Sequence, residues 1–321
     1  MRGLLVILAA CGRIGFDASS VEDAPFASCT GASVCGPAGT SSCCDSLLVP
    51  GGTYYRAYDV AGDGMFVDMS NPATVSQFRL DKYDINVGRF RAFVAAGMGT
   101  QASPPASGGG AHPTIANSGW DPSWNASLGA DTTALLANVA SCGAIGTWTA
   151  EPAGNEGRPM NCISWFEAMA FCIWDGGYLP TDAEWNFAAA GGAEQRAFDW
   201  SNPPGDITVD ASDASYQCLG DGTGSCSVTD LTVVGSKPAG DGKWGHSDLG
   251  GNVYAWLLDS GGTVSFINPC VDCAAVDDTG ERIARGGSYR DGLGQMRVGV
   301  RSSFDETVRA DVFGARCARL P

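Results

Sequence analysis

PMNCISWFEAMAFCIWDGGYLPTDAEWNFAAAGG, residues 159–192, reads as two short helices joined by a tight, aromatic-rich turn. Ser164 can cap the first helix, and Glu167, three residues on, can return to the cap's own amide, the reciprocal arrangement of a capping box. Trp165, Ala168, Met169, Cys172 and Ile173 then recur at helical spacing on one face. Asp175-Gly176-Gly177 should end this helix, because glycine enters left-handed backbone without steric cost. Thr181 and Glu184 repeat the box, Trp185, Ala188 and Ala189 form the next apolar stripe, and Gly191-Gly192 closes it. Two capped helices this close together need a larger body to cover their apolar faces.

The chain has 321 residues, enough for one large domain or two small ones, and 44% of them are hydrophobic, so a sizeable core is feasible. A formal net charge of −16 argues against nucleic acid and against anionic membrane surfaces as partners. It is compatible with calcium or cationic partners, and equally with the plain solubility of an exported protein.

The start carries an address. Arg2 precedes the apolar run Leu4 to Ala10 and then Cys11, a short signal sequence in which Leu8-Ala9-Ala10-Cys11 matches a bacterial lipobox. Residues 1–10 are therefore expected to be a signal peptide, with Cys11 lipidated as the first mature residue. Gly12, rather than aspartate, follows it, the pattern of outer-membrane sorting. No later stretch approaches the ~20 apolar residues that span a bilayer, so the lipid would be the membrane anchor.

Of 13 cysteines, Cys11 is assigned to lipid and twelve remain, an even number that suits disulfides in an oxidising compartment. Zinc is the rival reading for Cys270-Val271-Asp272-Cys273, but a structural site needs a second ligand pair, and Cys218 and Cys226 are spaced too widely for one.

Residues 11–48 lack a periodic apolar pattern and carry Cys29, Cys35, Cys43 and Cys44, which predicts a tether leading to a small cystine-stapled arm. The domain is expected over 49–321. Thr53 to Val60 and Phe78 to Tyr83 read as strands, and Asn86 caps a helix with Val87, Phe90, Phe93 and Val94 on one face, ended by Gly97. From Met98 to Gly119 the composition turns to Ala, Ser, Gly and Pro, a surface excursion. Trp120, Trp124 and Trp148 either fold back onto the core or line a binding face. Beyond Asp199 the chain is loop-rich, with short β segments expected near 231–235, 253–258, 282–288 and 297–303.

The helical stretch, with its pattern P-x-x-x-x-S-W-x-x-A-x-x-F-C-x-W-x-G-x-x-L-P-T-x-A-E-W-x-x-A-A-x-G-G, resembles the signature of the formylglycine-generating enzyme family, the sulfatase-modifying factor domain. Four further segments agree in order: Leu80-Asp81-Lys82-Tyr83-Asp84, Asp248 to Trp256 (DLGGNVYAW), Arg285-Gly286-Gly287-Ser288-Tyr289 and Gly314-Ala315-Arg316-Cys317. Together they cover roughly residues 50 to 321, and five matches in family order are far more specific than any one alone. The resemblance implies an α+β, C-type-lectin-like fold, loop-rich with short strands and a few helices. It also implies a disulfide between Cys172 and Cys317.

The family's best-known chemistry is copper-dependent oxidation of a substrate cysteine to formylglycine, with two cysteines after R-G-G-S-[WY] binding the metal as thiolates. Monovalent copper selects such soft ligands. Carried over, those positions are Asp291 and Met296, and no cysteine lies between Tyr289 and Cys317, so copper is not expected. An iron-type facial cluster would need both histidines of the chain, His112 and His246, and no Gly-x-Ser-x-Gly elbow supports a serine hydrolase. Calcium is the ion the resemblance leaves open, through Asp248 and the carbonyls of Gly251 and Val253, with Ala255 where the family has glutamate. A second family site would use Ser215 and Asp230. The reading is a lipid-anchored envelope protein that binds a protein, peptide or small molecule, or serves a structural role; the rival is an oxidoreductase or other enzyme of unidentified chemistry.

Overall fold

The computed structural model describes residues 26–29, 34–37, 39–262 and 265–321. Cys11 and the signal segment lie outside them. Tyr254–Ser260 organises the rest: all seven residues of this strand are buried, so its period-2 alternation serves two cores rather than one core and solvent. Tyr254, Trp256 and Leu258 point into one apolar cluster, Ala255 and Leu257 into the other. The first signature helix, Trp165–Trp174, packs in the former and the second, Asp182–Ala189, in the latter. Two indoles fasten helix to strand reciprocally: Trp165 Nε1 donates to Leu257 O at 2.7 Å, and Trp256 Nε1 donates to Ile163 O at 3.1 Å.

Glu281–Arg285 pairs antiparallel with this strand and with Ser302–Asp305, and Phe313–Gly314 adds a short parallel edge, giving four strands. A three-stranded sheet sets Phe78–Asp81 between Ser46–Val49 and Ala318–Arg319, and another sets Pro72–Val75 between Gly52–Tyr55 and Cys270–Val271. The first of these takes up residues on both sides of position 49. The mixture of short strands, long connections and few helices is the expected α+β arrangement.

Both capping boxes form: Ser164 with Glu167, and Thr181 with Glu184. Asn86 accepts from Arg89 N and starts Val87–Ala95. All twelve cysteines other than Cys11 pair, as Cys29–Cys44, Cys35–Cys43, Cys142–Cys162, Cys172–Cys317, Cys218–Cys226 and Cys270–Cys273. The first two pairs staple the arm, the fourth is the pairing the family resemblance implied, and the last removes the zinc alternative. Trp120 is buried, and Trp124 and Trp148 pack partly buried against the main core, so the excursion folds back.

Several strand bounds differ from expectation. The first strand stops at Tyr55 because Ala57 turns into left-handed backbone at φ 59°. Residues 231–235 form no strand: Val234 N donates to Gly157 O and its carbonyl accepts from Gly36 N, so the segment bridges two loops instead of joining a ladder. The segment near 282–288 ends at Arg285, where Gly286 at φ 95° makes a turn; a Cβ there would meet Leu249 O at 2.5 Å. The last begins only at Ser302.

Candidate functional site

The turn after Arg285 aims Ser288 and its followers at the body of the protein. Ser288 is fully buried, and its hydroxyl donates to Asp291 Oδ2 at 2.5 Å. Asp291 N donates to Ser288 O at 3.0 Å, and Asp291 O accepts from Gln217 N at 3.0 Å, which pins the turn to the 215–219 loop. The Tyr254 hydroxyl meets the same carboxylate; burial first, and then Asp291, push this phenol well above its ordinary range. Five residues on, Met296 ends the short helix Leu293–Met296 and is buried among Ala197, Phe198, Ala214 and Tyr216.

These two positions therefore do different work from a metal pair. Asp291 closes a polar turn, and the Met296 thioether fills an apolar core. The residues do not fit copper, and no step through it is derived. Beside them, a cleft of about 190 Å³ is lined by Asp63, Met65, Phe198, Ile207, Leu293 and Arg297. Met65 and Ile207 form an exposed apolar rim, at 58% and 47% of their surface. Arg297 at its base is paired with Asp59 and with Asp63, the latter at 2.6 Å, so its charge is spent inside the protein. Such a cleft takes an apolar group. It offers no unpaired charge to an ionic one.

The residues expected to hold calcium come together as a loop junction. Ser215 O accepts from Asn252 N at 2.9 Å, and a Cβ on Gly251, at φ 82°, would lie 2.4 Å from the same carbonyl. The Ser215 hydroxyl donates to Asp230 O at 2.5 Å. The Asp230 carboxylate accepts from the amides of Ser227 and Asp221, at 2.8 and 3.3 Å. Asp248 accepts from Gly235 N at 2.6 Å, and burial raises it to about 6. Val253 precedes the central strand and packs with Leu231 and Tyr289. Calcium takes six to eight oxygens, and here the carboxylates and hydroxyl are engaged with the chain's own amides and carbonyl. The set does not fit calcium. Among the described residues no group of three or more His, Cys, Asp or Glu could hold a metal ion.

The histidines serve separate neighbourhoods. His112 Nε2 lies 3.3 Å from Glu184 Oε1, which also accepts from the Tyr178 hydroxyl at 2.9 Å, and Thr114 N donates to His112 Nδ1 at 3.3 Å. This straps the excursion to the second signature helix. His246 is fully buried, with the backbone of Leu80 and Leu47 facing its ring outside hydrogen-bonding geometry; burial, aided by Arg316, lowers it to about 3. Asp305 is exposed and caps Thr307 N at 2.8 Å, taking no part in the cleft beside Asp291.

What sequence reading missed are the buried charges behind the site. Asp84, Asp199 and Asp248 all feel the charge of Arg316, which binds Asp84 at 2.8 Å and donates to the carbonyls of Ser247 and Asp248. Arg316 stands in the closing G-A-R-C motif, so that motif was the available signal; its ion-pair partner Asp84 lies 232 positions away.

An α+β body with these loops belongs to the class of C-type-lectin-like folds. The profile of the "Sulfatase-modifying factor enzyme 1-like domain" matches residues 32–321, and the chain belongs to this family. A formylglycine-generating enzyme of Streptomyces coelicolor is 28% identical over 85% of this chain and 88% of its own length. The "Inactive C-alpha-formylglycine-generating enzyme 2" of Mus musculus is 30% identical over 50% of this chain and 48% of its own. Among solved structures, PvdO from Pseudomonas aeruginosa superposes with a TM-score of 0.59 at 19% identity, over 87% of this chain and 95% of that one.

Proposed function

We propose that this chain is a lipid-anchored envelope protein whose sulfatase-modifying-factor domain binds a ligand or serves a structural role, without the family's copper chemistry. The observation that carries the reading is the pair of substitutions at the metal-thiolate positions. Asp291 accepts from Ser288, and Met296 is packed in an apolar cluster, so neither is placed as a thiolate would be. A relative bearing "inactive" in its name supports a non-catalytic use of the domain. The group taken is apolar, of the size of an aliphatic side chain, seated between Met65, Ile207 and Leu293. The lipid on Cys11 places the domain at the outer membrane, and calcium is not part of the proposal.

The deciding experiment incubates the purified domain with copper, oxygen and a Cys-x-Pro-x-Arg peptide and looks for formylglycine by mass. No product is expected. Turnover matching the Streptomyces relative would return the chain to the oxidoreductases. For the anchor, a palmitate analogue should label wild-type protein and not Cys11→Ala, and unmodified full-length protein in the cytosol would overturn the localisation.

A further inference from the structure

Cys270 and Cys273 are disulfide-bonded across two residues, at the edge of the three-stranded sheet. Cys270 lies in the edge strand and is 3% exposed, whereas Cys273, just beyond it, is partly exposed. Asp272 between them is held at φ 44°, left-handed backbone that a side chain rarely adopts. Its carboxylate accepts from Ser76 N and the Ser76 hydroxyl, at 2.6 and 2.7 Å, which fixes the turn. The Arg56 Nη1 donor sits 3.7 Å from Cys273 Sγ.

Arg56 is the unusual partner. It is buried, and its other donors go to the carbonyls of Asn71, Pro72 and Ile267. No carboxylate lies within ion-pairing distance of it among the described residues. The charged and titratable groups that face it are Tyr54, Asp182, Asp259 and Arg285, and Asp182 is already paired with Arg285 and Arg301. A guanidinium left without a counter-anion and aimed at a sulfur favours the thiolate form of that sulfur. Stabilising the reduced form makes a disulfide more readily reduced, hence more oxidising toward other thiols.

We propose that Cys270–Cys273 is a thiol–disulfide exchange site, with Cys273 the sulfur that client thiols meet and Arg56 the group that holds its thiolate. The substrate class is a reduced dithiol. One client thiolate attacks Cys273 Sγ; the S–S bond breaks, and Cys270 leaves with the electron pair and takes up a proton. The client's second thiolate then attacks the client sulfur of this mixed disulfide and expels Cys273 as a thiolate facing Arg56. Two electrons pass from client to pair: the client gains a disulfide and the pair becomes a dithiol. A disulfide of the same class reverses the sequence and restores the bond. This site is separate from the Asp291 cleft and does not depend on its reading.

Cys218–Cys226 is the internal comparison, because Cys226 is exposed but neither sulfur receives a hydrogen bond from a cationic side chain among the described residues. The full chain is equilibrated in glutathione buffers of graded disulfide-to-thiol ratio, quenched in acid, differentially alkylated and mapped by peptide mass. Cys270–Cys273 should open at a ratio roughly tenfold more oxidising than Cys218–Cys226 does. Arg56→Gln should remove most of that gap, and Arg56→Lys should keep most of it. In Cys270→Ser, alkylation of Cys273 at pH 7 should run roughly tenfold faster than in Cys270→Ser combined with Arg56→Gln. A two-cysteine peptide in place of glutathione should emerge as the intramolecular disulfide. Opening of Cys270–Cys273 together with or after Cys218–Cys226 would overturn the proposal. So would equal alkylation rates with and without the guanidinium, in folded variants matched by near-UV circular dichroism.

Discussion

Two buried charge clusters lie on either side of one strand end, and they are built on opposite terms. In the first, Asp81 and Asp175 meet Arg89 and Arg319: Arg89 binds the two carboxylates at 3.1 and 2.6 Å, and Arg319 binds them at 3.0 and 2.7 Å. Ser28 of the arm completes it, its amide donating to Asp175 at 2.8 Å and its hydroxyl accepting from Arg89 at 2.9 Å. Two negative charges face two positive ones. Burial would raise Asp81, yet Arg319 and Arg89 hold it below the ordinary carboxylate range. In the second, three carboxyls, Asp84, Asp199 and Asp248, face one buried cation, Arg316, with only weaker help from Arg196 at Asp199 and Lys237 at Asp248. Burial raises them to about 7, about 8 and about 6, with Arg316 opposing in each case. One side oxygen each of Asp84 and Asp199 has no hydrogen-bond partner. Compensation, more than depth, decides whether a buried carboxyl stays charged.

The largest expected effect removes the staple beside the balanced cluster. Cys172 lies three residues before Asp175 and Cys317 two before Arg319, so their disulfide holds both halves of the cluster in register. It closes a loop of 145 residues, for which the chain-entropy model assigns roughly 5 kcal/mol as an upper figure. Cys172→Ala with Cys317→Ala should lower the urea midpoint more than any other disulfide deletion, read by tryptophan fluorescence. A loss below that of the Cys218–Cys226 deletion would break the link between staple and cluster.

Next comes the cluster itself. Arg89→Met leaves Asp81 and Asp175 short of one cation in a fully buried setting, and breaking such a pair costs about 3–5 kcal/mol. Asp199→Asn in the other cluster removes a buried carboxylate that Arg316 and Arg196 offset only in part, and should be neutral or stabilising at pH 8. The comparison fails if the two variants lose equally.

Neither cluster was legible in the sequence, although much of the frame was. The capping boxes at Ser164–Glu167 and Thr181–Glu184 are local, and local geometry dictates them. The buried run Tyr254–Ser260 was recognisable as a strand because its apolar residues are contiguous. Arg319 and Asp81, by contrast, are separated by 238 positions, and no periodicity links them. At the site, the motif located Asp291 and Met296, but whether they make a polar turn or a metal pair depends on Gln217 and Phe198, from loops without regular pattern. The 231–235 segment failed for a related reason. Its apolar residues are buried by two loops, and burial by loops leaves the same sequence trace as burial in a sheet.

The pH dependence sharpens the contrast further. A carboxyl whose folded pKa is raised contributes stability that is full below its unfolded value and is lost as pH rises through the folded value. Asp84, Asp199 and Asp248 therefore weaken the fold as pH rises from the ordinary carboxylate range to their folded values of about 7, 8 and 6, each by at most about 1.4 kcal/mol per pH unit. Asp81 has the opposite sign, and its contribution is lost only as pH falls below the ordinary carboxylate range. Urea midpoints should fall from pH 6.5 to 8.5, and Asp199→Asn should flatten that fall. An unchanged slope in the variant would remove Asp199 from the account.

The smallest effect isolates His246, which sits against Arg316 on the acid side of the same cluster. Its folded value of about 3 lies below the ordinary histidine value, because burial and the neighbouring guanidinium disfavour a second cation there. An unfolded chain takes up a proton at this residue as pH drops through about 6.5, and the folded chain cannot, so stability is lost as pH falls through that value. This opposes the aspartates, whose protonation strengthens the fold over the same interval, and it should cancel part of their gain as pH falls below about 6.5. His246→Leu keeps an apolar side chain in the site and removes the titration. At pH 8 the variant should differ from wild type by less than about 1 kcal/mol, since a neutral imidazole facing the backbone outside bonding geometry contributes little. At pH 5 it should be more stable than wild type by about 2 kcal/mol, from the slope of roughly 1.4 kcal/mol per pH unit below 6.5. The measurement is a pair of urea titrations at each pH, compared as differences so that every other titrating group cancels. A constant offset at both values would show that the imidazole is protonated with the fold intact, and Arg316 would then have to be carrying less charge pressure than its packing implies.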